Sequence, residues 1–103
     1  MITFINMFTV QPDQQQTALH HIQQVYTEVV RYQPGFIDAQ LLQSLDGKRV
    51  TAVAHWESEA DLQALRSQPR FQELHNEAFY AAIVSNESHT YHVATEVIAQ
   101  ESI

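Results

Sequence analysis

The 103-residue chain contains no cysteine, only two glycines, and five basic residues against twelve acidic ones. Without cysteine, neither disulfides nor thiolate metal sites can form, and nothing argues for export. Gly35 and Gly47 cannot build a glycine-rich phosphate cradle, so nucleotide cofactors of the Rossmann or P-loop kind are not expected. The formal net charge of −7 repels phosphate backbones, which argues against a nucleic-acid partner.

Long apolar runs are also missing from the sequence. No stretch approaches the roughly 20 apolar residues that a transmembrane helix needs, so no membrane association is expected. The first ten residues, MITFINMFTV, lack the basic start and the cleavage site of a signal peptide, which makes the cytoplasm the expected location. Hydrophobic residues make up 45% of the chain, which predicts one small packed domain over residues 1–103.

Apolar periodicity and turn residues predict six elements in the order βαββαβ. These are a strand over 3–10, a helix from an Asp13/Gln16 capping box to about Arg31, strands over 36–44 and 49–56, a helix capped by Ser58, interrupted at Pro69 and resumed over 71–83, and a strand over 88–98. This order is typical of an α+β, ferredoxin-like fold, a four-stranded antiparallel sheet with helices on one face.

Both faces of the predicted sheet carry apolar side chains. In the first strand Phe4 and Phe8 point one way, while Ile5 and Met7 point the other. Helices can cover only one face, so the other needs a cover, and a second copy of the chain is the simplest one. The sequence therefore predicts a homodimer packed sheet to sheet; a monomer with an open apolar sheet is the alternative.

Two polar residues stand on the predicted core side. His75 lies within the apolar stripe of FQELHNEAFYAAI, and Asn6 is the one polar member of the inward face of the first strand. Trp56, at the end of the third strand, is expected to wall the same space. An ordinary core with satisfied polar groups is one interpretation; the other is an apolar pocket with a few polar groups. In such a pocket His75 is a candidate general base or axial metal ligand, and Asn6 a candidate donor to a developing anionic oxygen.

The other five histidines predict no site. His20 and His21 are adjacent on a helix, whereas His89 and His92, three apart, should lie on opposite faces of a strand. His55 should lie on the outer face, near the dimer seam. No zinc site is expected, because no cluster of carboxylates accompanies these imidazoles.

Four segments carry a resemblance to a known family: INMFTVQPDQQQ, RYQPGFIDAQLLQSLDGKRV, AHWESEADLQAL and PRFQELH, with eight residues between PGF and LDG and eight between LDG and WES. In these segments the chain resembles the antibiotic biosynthesis monooxygenase family. The resemblance implies a ferredoxin-like fold and a homodimer whose sheets form a joint α/β barrel. It also implies the oxidation of a flat aromatic or quinone-like molecule by O2, without metal or flavin.

The resemblance also implies roles for particular positions. In the quinone-forming members an Asn four residues before the Trp and a Tyr on the short helix bind the substrate. Trp56 matches, but Ala52 and Leu62 hold the other two places. With His75 as base, Asn6 as oxyanion donor and Trp56 as wall, we expect a cofactor-independent monooxygenase.

Two alternatives accompany this expectation. A heme-degrading branch has an Asn in the first strand and an iron-binding His in the late helix, which Asn6 and His75 match. Its bulky Trp on the short helix is Leu65 here. A heme-binding or heme-degrading protein with His75 as ligand is therefore the first alternative. A non-catalytic dimer that binds a small hydrophobic molecule is the second.

Overall fold

The structure, a computed structural model, is described for residues 1–100. Its strands are β1 (Ile2–Val10), β2 (Phe36–Gln43), β3 (Arg49–Trp56) and β4 (Ile83–Tyr91). Its helices are α1 (Gln15–Glu28), α2 (Glu59–Leu65), α3 (Pro69–Leu74) and α4 (Glu77–Ala81), with a 3₁₀ turn at Val30–Tyr32. The strands form one antiparallel sheet in the order β2-β3-β1-β4. The ferredoxin-like α+β fold predicted from the sequence is confirmed.

Strand parity sets the two faces of the sheet. On β3, Val50, Ala52, Ala54 and Trp56 are all buried against the helices, and the residues between them are half-buried on the outer face. The helices add one apolar stripe each, in which Ile22, Val25 and Phe79 are buried. The core is therefore a single layer between sheet and helices, and the polar residues of β1 that face this layer must find partners there.

The start of α1 differs from the predicted capping box. The N-cap position is Gln14, which makes no side-chain capping bond, and Asp13 has a φ of +62°. Asp13 therefore forms the left-handed turn before the helix, a conformation that Asp adopts more readily than most residues. The helix also ends earlier than predicted, at Glu28, and passes into the 3₁₀ turn.

The segment 71–83 is not one helix as predicted. The helix breaks at His75, which has φ −88° and ψ 62°, and restarts after Asn76, whose side-chain oxygen accepts from the Phe79 amide. Asn76 is thus a local N-cap that competes with a continuous helix. The predicted last strand was also misplaced: β4 runs over Ile83–Tyr91, and residues 92–100 form no regular element.

Candidate functional site

A cavity of about 170 Å³ lies between the sheet and the helices. Its floor is formed by β1, β3 and β4, one wall is α1, and the other wall is formed by the three short helices. The three residues singled out from the sequence, Asn6, Trp56 and His75, all line it. The rest of the lining is mainly aromatic and aliphatic, including Phe4, Phe8, Leu62, Leu65 and Phe79. An apolar hollow with a few convergent polar groups is the usual form of a small-molecule site.

His75 is held in the cavity wall by its neighbours. Its ring lies between those of Phe71 and Phe79, with centroids 4.3 and 4.6 Å away. Its Nδ1 lies 2.6 Å from the backbone oxygen of Phe71. Since a carbonyl oxygen only accepts, a neutral imidazole must carry its proton on Nδ1 and leave the Nε2 lone pair free. In this tautomer Nε2 is the nitrogen that can act as a general base.

The helix break supplies that carbonyl. In a regular α-helix the amide of His75 would bond to the oxygen of Phe71. Here the amide bonds instead to the oxygen of Gln72, at 3.2 Å, as in a tightened last turn. The Phe71 oxygen is therefore free for the imidazole, and backbone geometry fixes the ring.

Asn6 is oriented by Asn86 on the neighbouring strand. The Asn86 Nδ2 donates to the Asn6 Oδ1 at 3.1 Å. With its oxygen engaged, Asn6 retains its NH2 group, which has two donor hydrogens, for a partner in the cavity. The pairing of β4 with β1, in which Asn86 lies opposite Phe8, creates this contact. Asn86 was not found from the sequence, because its position depends on that register.

Trp56 provides an unused donor. The residue is 1% exposed, and its indole Nε1 is buried without a hydrogen-bond partner among residues 1–100. Leaving such a donor unpaired costs on the order of 1–3 kcal/mol. The ring itself is well packed, edge-on against Phe36 at a centroid distance of 5.3 Å. A core residue without another role would more usually be apolar throughout or have its polar atom paired.

The charge of the cavity contrasts with that of the chain. The net charge is −7, yet no carboxylate within residues 1–100 lines the cavity. One cation from the same part of the chain does: Arg66, an exposed residue directly after α2, borders it. The local field thus favours a ligand that is anionic or becomes so. Sequence reasoning missed Arg66, which shows no helical-stripe signal because it lies on the exposed end of its helix.

The size of the cavity tests the heme alternative. A cavity of roughly 150 Å³ holds one benzene-sized ring. The cavity of about 170 Å³ is similar to that, whereas heme is a macrocycle of four pyrrole rings. Leu62 and Leu65, both buried, fill one wall of the cavity and leave no further room there. The residues present therefore do not fit a heme in this cavity.

The remaining histidines lie away from the cavity. His55 is on the outer face of β3, as predicted, and its Nδ1 lies 2.5 Å from a carboxylate oxygen of Asp38 on β2. His89 pairs with Glu87 at 3.0 Å. The predicted strand placement of His92 was wrong, because β4 ends at Tyr91. Within residues 1–100, no three His, Asp or Glu side chains are grouped so as to hold a metal ion.

No helix within residues 1–100 combines the length and the apolar character needed to cross a bilayer.

Comparison with known proteins places the sequence in a family. Residues 1–77 match the family described as antibiotic biosynthesis monooxygenase. Over 72 residues the chain is 39% identical to tetracenomycin-F1 monooxygenase of Streptomyces glaucescens, a match covering 70% of this chain and 64% of that protein.

Solved structures share the fold. SnoaB, described as a cofactor-independent oxygenase from Streptomyces nogalater, superimposes with a TM-score of 0.78 at 24% identity, covering 93% of this chain and 95% of SnoaB. A conserved protein from Methanosarcina mazei gives a TM-score of 0.75 at 20% identity, covering 87% and 89% of the two chains. The matched segment includes Asn6, Trp56 and His75, and the chain belongs to the antibiotic biosynthesis monooxygenase family.

Proposed function

We propose that this protein is a cofactor-independent monooxygenase that oxidises a small, electron-rich aromatic molecule, such as a phenol or hydroquinone, with O2. The observation that carries the proposal is the buried, unpartnered N–H of Trp56, in a cavity that also holds Asn6 and His75. A substrate oxygen would supply the missing acceptor. The relatives whose names describe a monooxygenase and a cofactor-independent oxygenase support the same class of reaction.

The three residues divide the work by their chemistry. Nε2 of His75 takes the phenolic proton, because the N–H at Nδ1 already donates a hydrogen bond to the backbone oxygen of Phe71. The NH2 of Asn6 and the indole N–H of Trp56 then donate to the resulting oxygen anion. Arg66 at the border adds positive charge, and the apolar walls keep water away from the reduced oxygen species.

Asn6 can also replace an amide that the quinone-forming members of the family carry and this chain lacks at Ala52. The resemblance places an Asn in those members at the position of Ala52. In the β1–β3 ladder Asn6 is the direct partner of Ala52. Directly opposed side chains of an antiparallel pair have Cβ atoms roughly 5 Å apart. An amide supplied by β1 therefore reaches nearly the same point of the cavity.

The reaction balances without a cofactor. For an anthrone, whose enol tautomer is a phenol, the ring CH2 becomes C=O and the substrate gives up four electrons. The O2 molecule accepts them, leaving one oxygen atom in the product and one in water. The phenolate is the source of electrons, so the protein needs only to deprotonate, orient and exclude water.

Oxygen uptake with a panel of hydroquinones and anthrones tests the proposal. Wild-type protein is expected to consume one O2 per product, and His75→Ala and Asn6→Ala to be slower by roughly 10²-fold or more. His20→Ala, an exposed imidazole of α1, is the matched control and should keep the wild-type rate. No uptake across the panel, or wild-type rates in both cavity variants, would refute the proposal.

The same preparations test the alternatives. A hemin titration that gives a sharp absorbance band, lost in His75→Ala, would favour the heme protein. Failure of oxygen uptake together with recovery of a bound apolar molecule by extraction would favour a non-catalytic binder.

We also propose that two copies pair through the outer face of the sheet. Ile5 and Val53 are directly opposite each other on this face, and Met7 and Leu42 on the same face are 37% and 46% exposed. A dimer would cover this apolar strip. Val53→Glu is expected to convert the dimer to an 11.8 kDa monomer in sedimentation, whereas Gln63→Glu, an exposed glutamine of α2 away from the sheet, is the matched charge control and should leave the dimer intact. A wild-type chain that sediments only as a monomer at micromolar concentration would refute the dimer.

A further inference from the structure

One aromatic side chain separates the cavity from a second hollow. Tyr26 of α1 lines the cavity, and it also lines an open groove of about 360 Å³ on the outside, between α1 and β2. It is the one residue in residues 1–100 that contributes to both. Its ring lies 6.5 Å from Phe36, which in turn packs on Trp56. Tyr26 thus stands as a partition between the two spaces.

The groove has a composition suited to part of a ligand. One side is apolar, with Phe36 and Leu41 of β2, and the other is polar, with Thr27 and Arg31 from the α1 side. A second ring or a chain with oxygen substituents would meet both kinds of surface. The cavity, by contrast, has room for about one ring. A substrate of two or more fused rings therefore needs both spaces.

Displacing the Tyr26 ring breaks packing against the core but no hydrogen bond of the described residues. No hydrogen bond within residues 1–100 holds its hydroxyl, and burial raises the pKa of Tyr26 to about 12, so the group stays neutral as it moves. The residue is half-buried, so part of its side chain already meets solvent on the groove side. Outward rotation would join cavity and groove.

We propose that Tyr26 is a gate that determines specificity: the reactive ring occupies the cavity, and the ring of Tyr26 moves aside to admit a further ring or chain into the α1–β2 groove. This inference rests on the proposed function for the identity of the substrate, but the gate acts at the binding step. Tyr26 touches the ligand without taking part in proton or electron transfer.

The test compares ligands of two sizes by fluorescence. Trp56 is the only tryptophan, so its quenching reports occupancy of the cavity directly. Hydroquinone and anthrone are titrated into wild type, Tyr26→Ala and Tyr26→Phe. Tyr32→Ala is the matched control, since Tyr32 is an exposed tyrosine that lines neither hollow.

In Tyr26→Ala the Kd of anthrone is expected to fall roughly tenfold, because no rotamer change is needed, while that of hydroquinone stays within about twofold. Tyr26→Phe should keep the wild-type ratio of the two constants, because it keeps the ring. Equal changes for both ligands, or an unchanged ratio in Tyr26→Ala with an unaltered circular dichroism spectrum, would overturn the gate. Normal binding without oxygen uptake would overturn the proposed oxidation alone, and a wild-type protein that binds neither ligand would overturn both.

Discussion

Replacing Trp56 with Phe separates a ligand-binding role of the indole from a role in core packing. The buried, unpartnered N–H destabilises the folded protein by about 1–3 kcal/mol, and the substitution removes this cost. It also gives up roughly 40 Å³ of buried volume, worth about 1 kcal/mol as a cavity, and a further ~1 kcal/mol of transfer free energy. The opposing effects nearly cancel, so the free energy of unfolding should change by less than about 1 kcal/mol. Substitution by Ala should cost about 3–5 kcal/mol instead.

Binding and turnover of the Phe variant should change far more than its stability. A hydrogen bond to a charged oxygen contributes about 1.5–3 kcal/mol, so ligand affinity should fall by roughly tenfold to a hundredfold. Urea unfolding followed by circular dichroism gives the stability, and calorimetry gives the Kd without needing the tryptophan. A variant destabilised by more than about 3 kcal/mol with an unchanged Kd would show that the indole only fills the core.

Three further perturbations test the geometry. His75→Ala should lower oxygen uptake by roughly 10²–10⁴-fold with its circular dichroism spectrum unaltered; a wild-type rate would remove His75 from the mechanism. Asn86→Asp should turn the Asn6 amide around, since two oxygens would otherwise face each other, and so slow the reaction as much as Asn6→Ala does; if uptake is unaffected, the pair does not orient the donor. Gly35→Ala and Gly47→Ala both place Ala at positive φ, which should lower the free energy of unfolding in urea by about 1–2 kcal/mol. Gly35→Ala should lower it further, because only there would the new methyl overlap a carboxylate of α2, that of Asp61. Equal losses at the two sites would contradict the described packing.

The parts of the fold that could be predicted are those where one chain segment carries its own signal. β3 was predicted to the residue because it alternates and buries every second side chain. β4 was not, because Ile83–Tyr91 is almost wholly exposed and polar, and within the described part of the chain it pairs only with β1. Residues 92–98 contain valine and isoleucine typical of a strand, but no strand within residues 1–100 pairs with them.

The cavity residues likewise divide into those that carry a local sequence signal and those whose position depends on distant parts of the chain. Strand parity places Asn6 and Trp56 on the helix side, and helical spacing gives the side of His75. The positions of Asn86 and Tyr26 relative to them depend on the β1–β4 register and on how α1 crosses the sheet. Such long-range geometry leaves no local pattern in one sequence.

The gap between α3 and α4 makes the chemistry of the imidazole dependent on residues that never contact a ligand. Asn76 starts the new helix, and in doing so it stops the old one a turn early, so that a carbonyl is left over for a side chain. A change that made the helix continuous would return that carbonyl to the backbone and release the ring. Substitutions at Asn76 should therefore affect activity mainly through the orientation and protonated nitrogen of the His75 imidazole, and less through the stability of the fold.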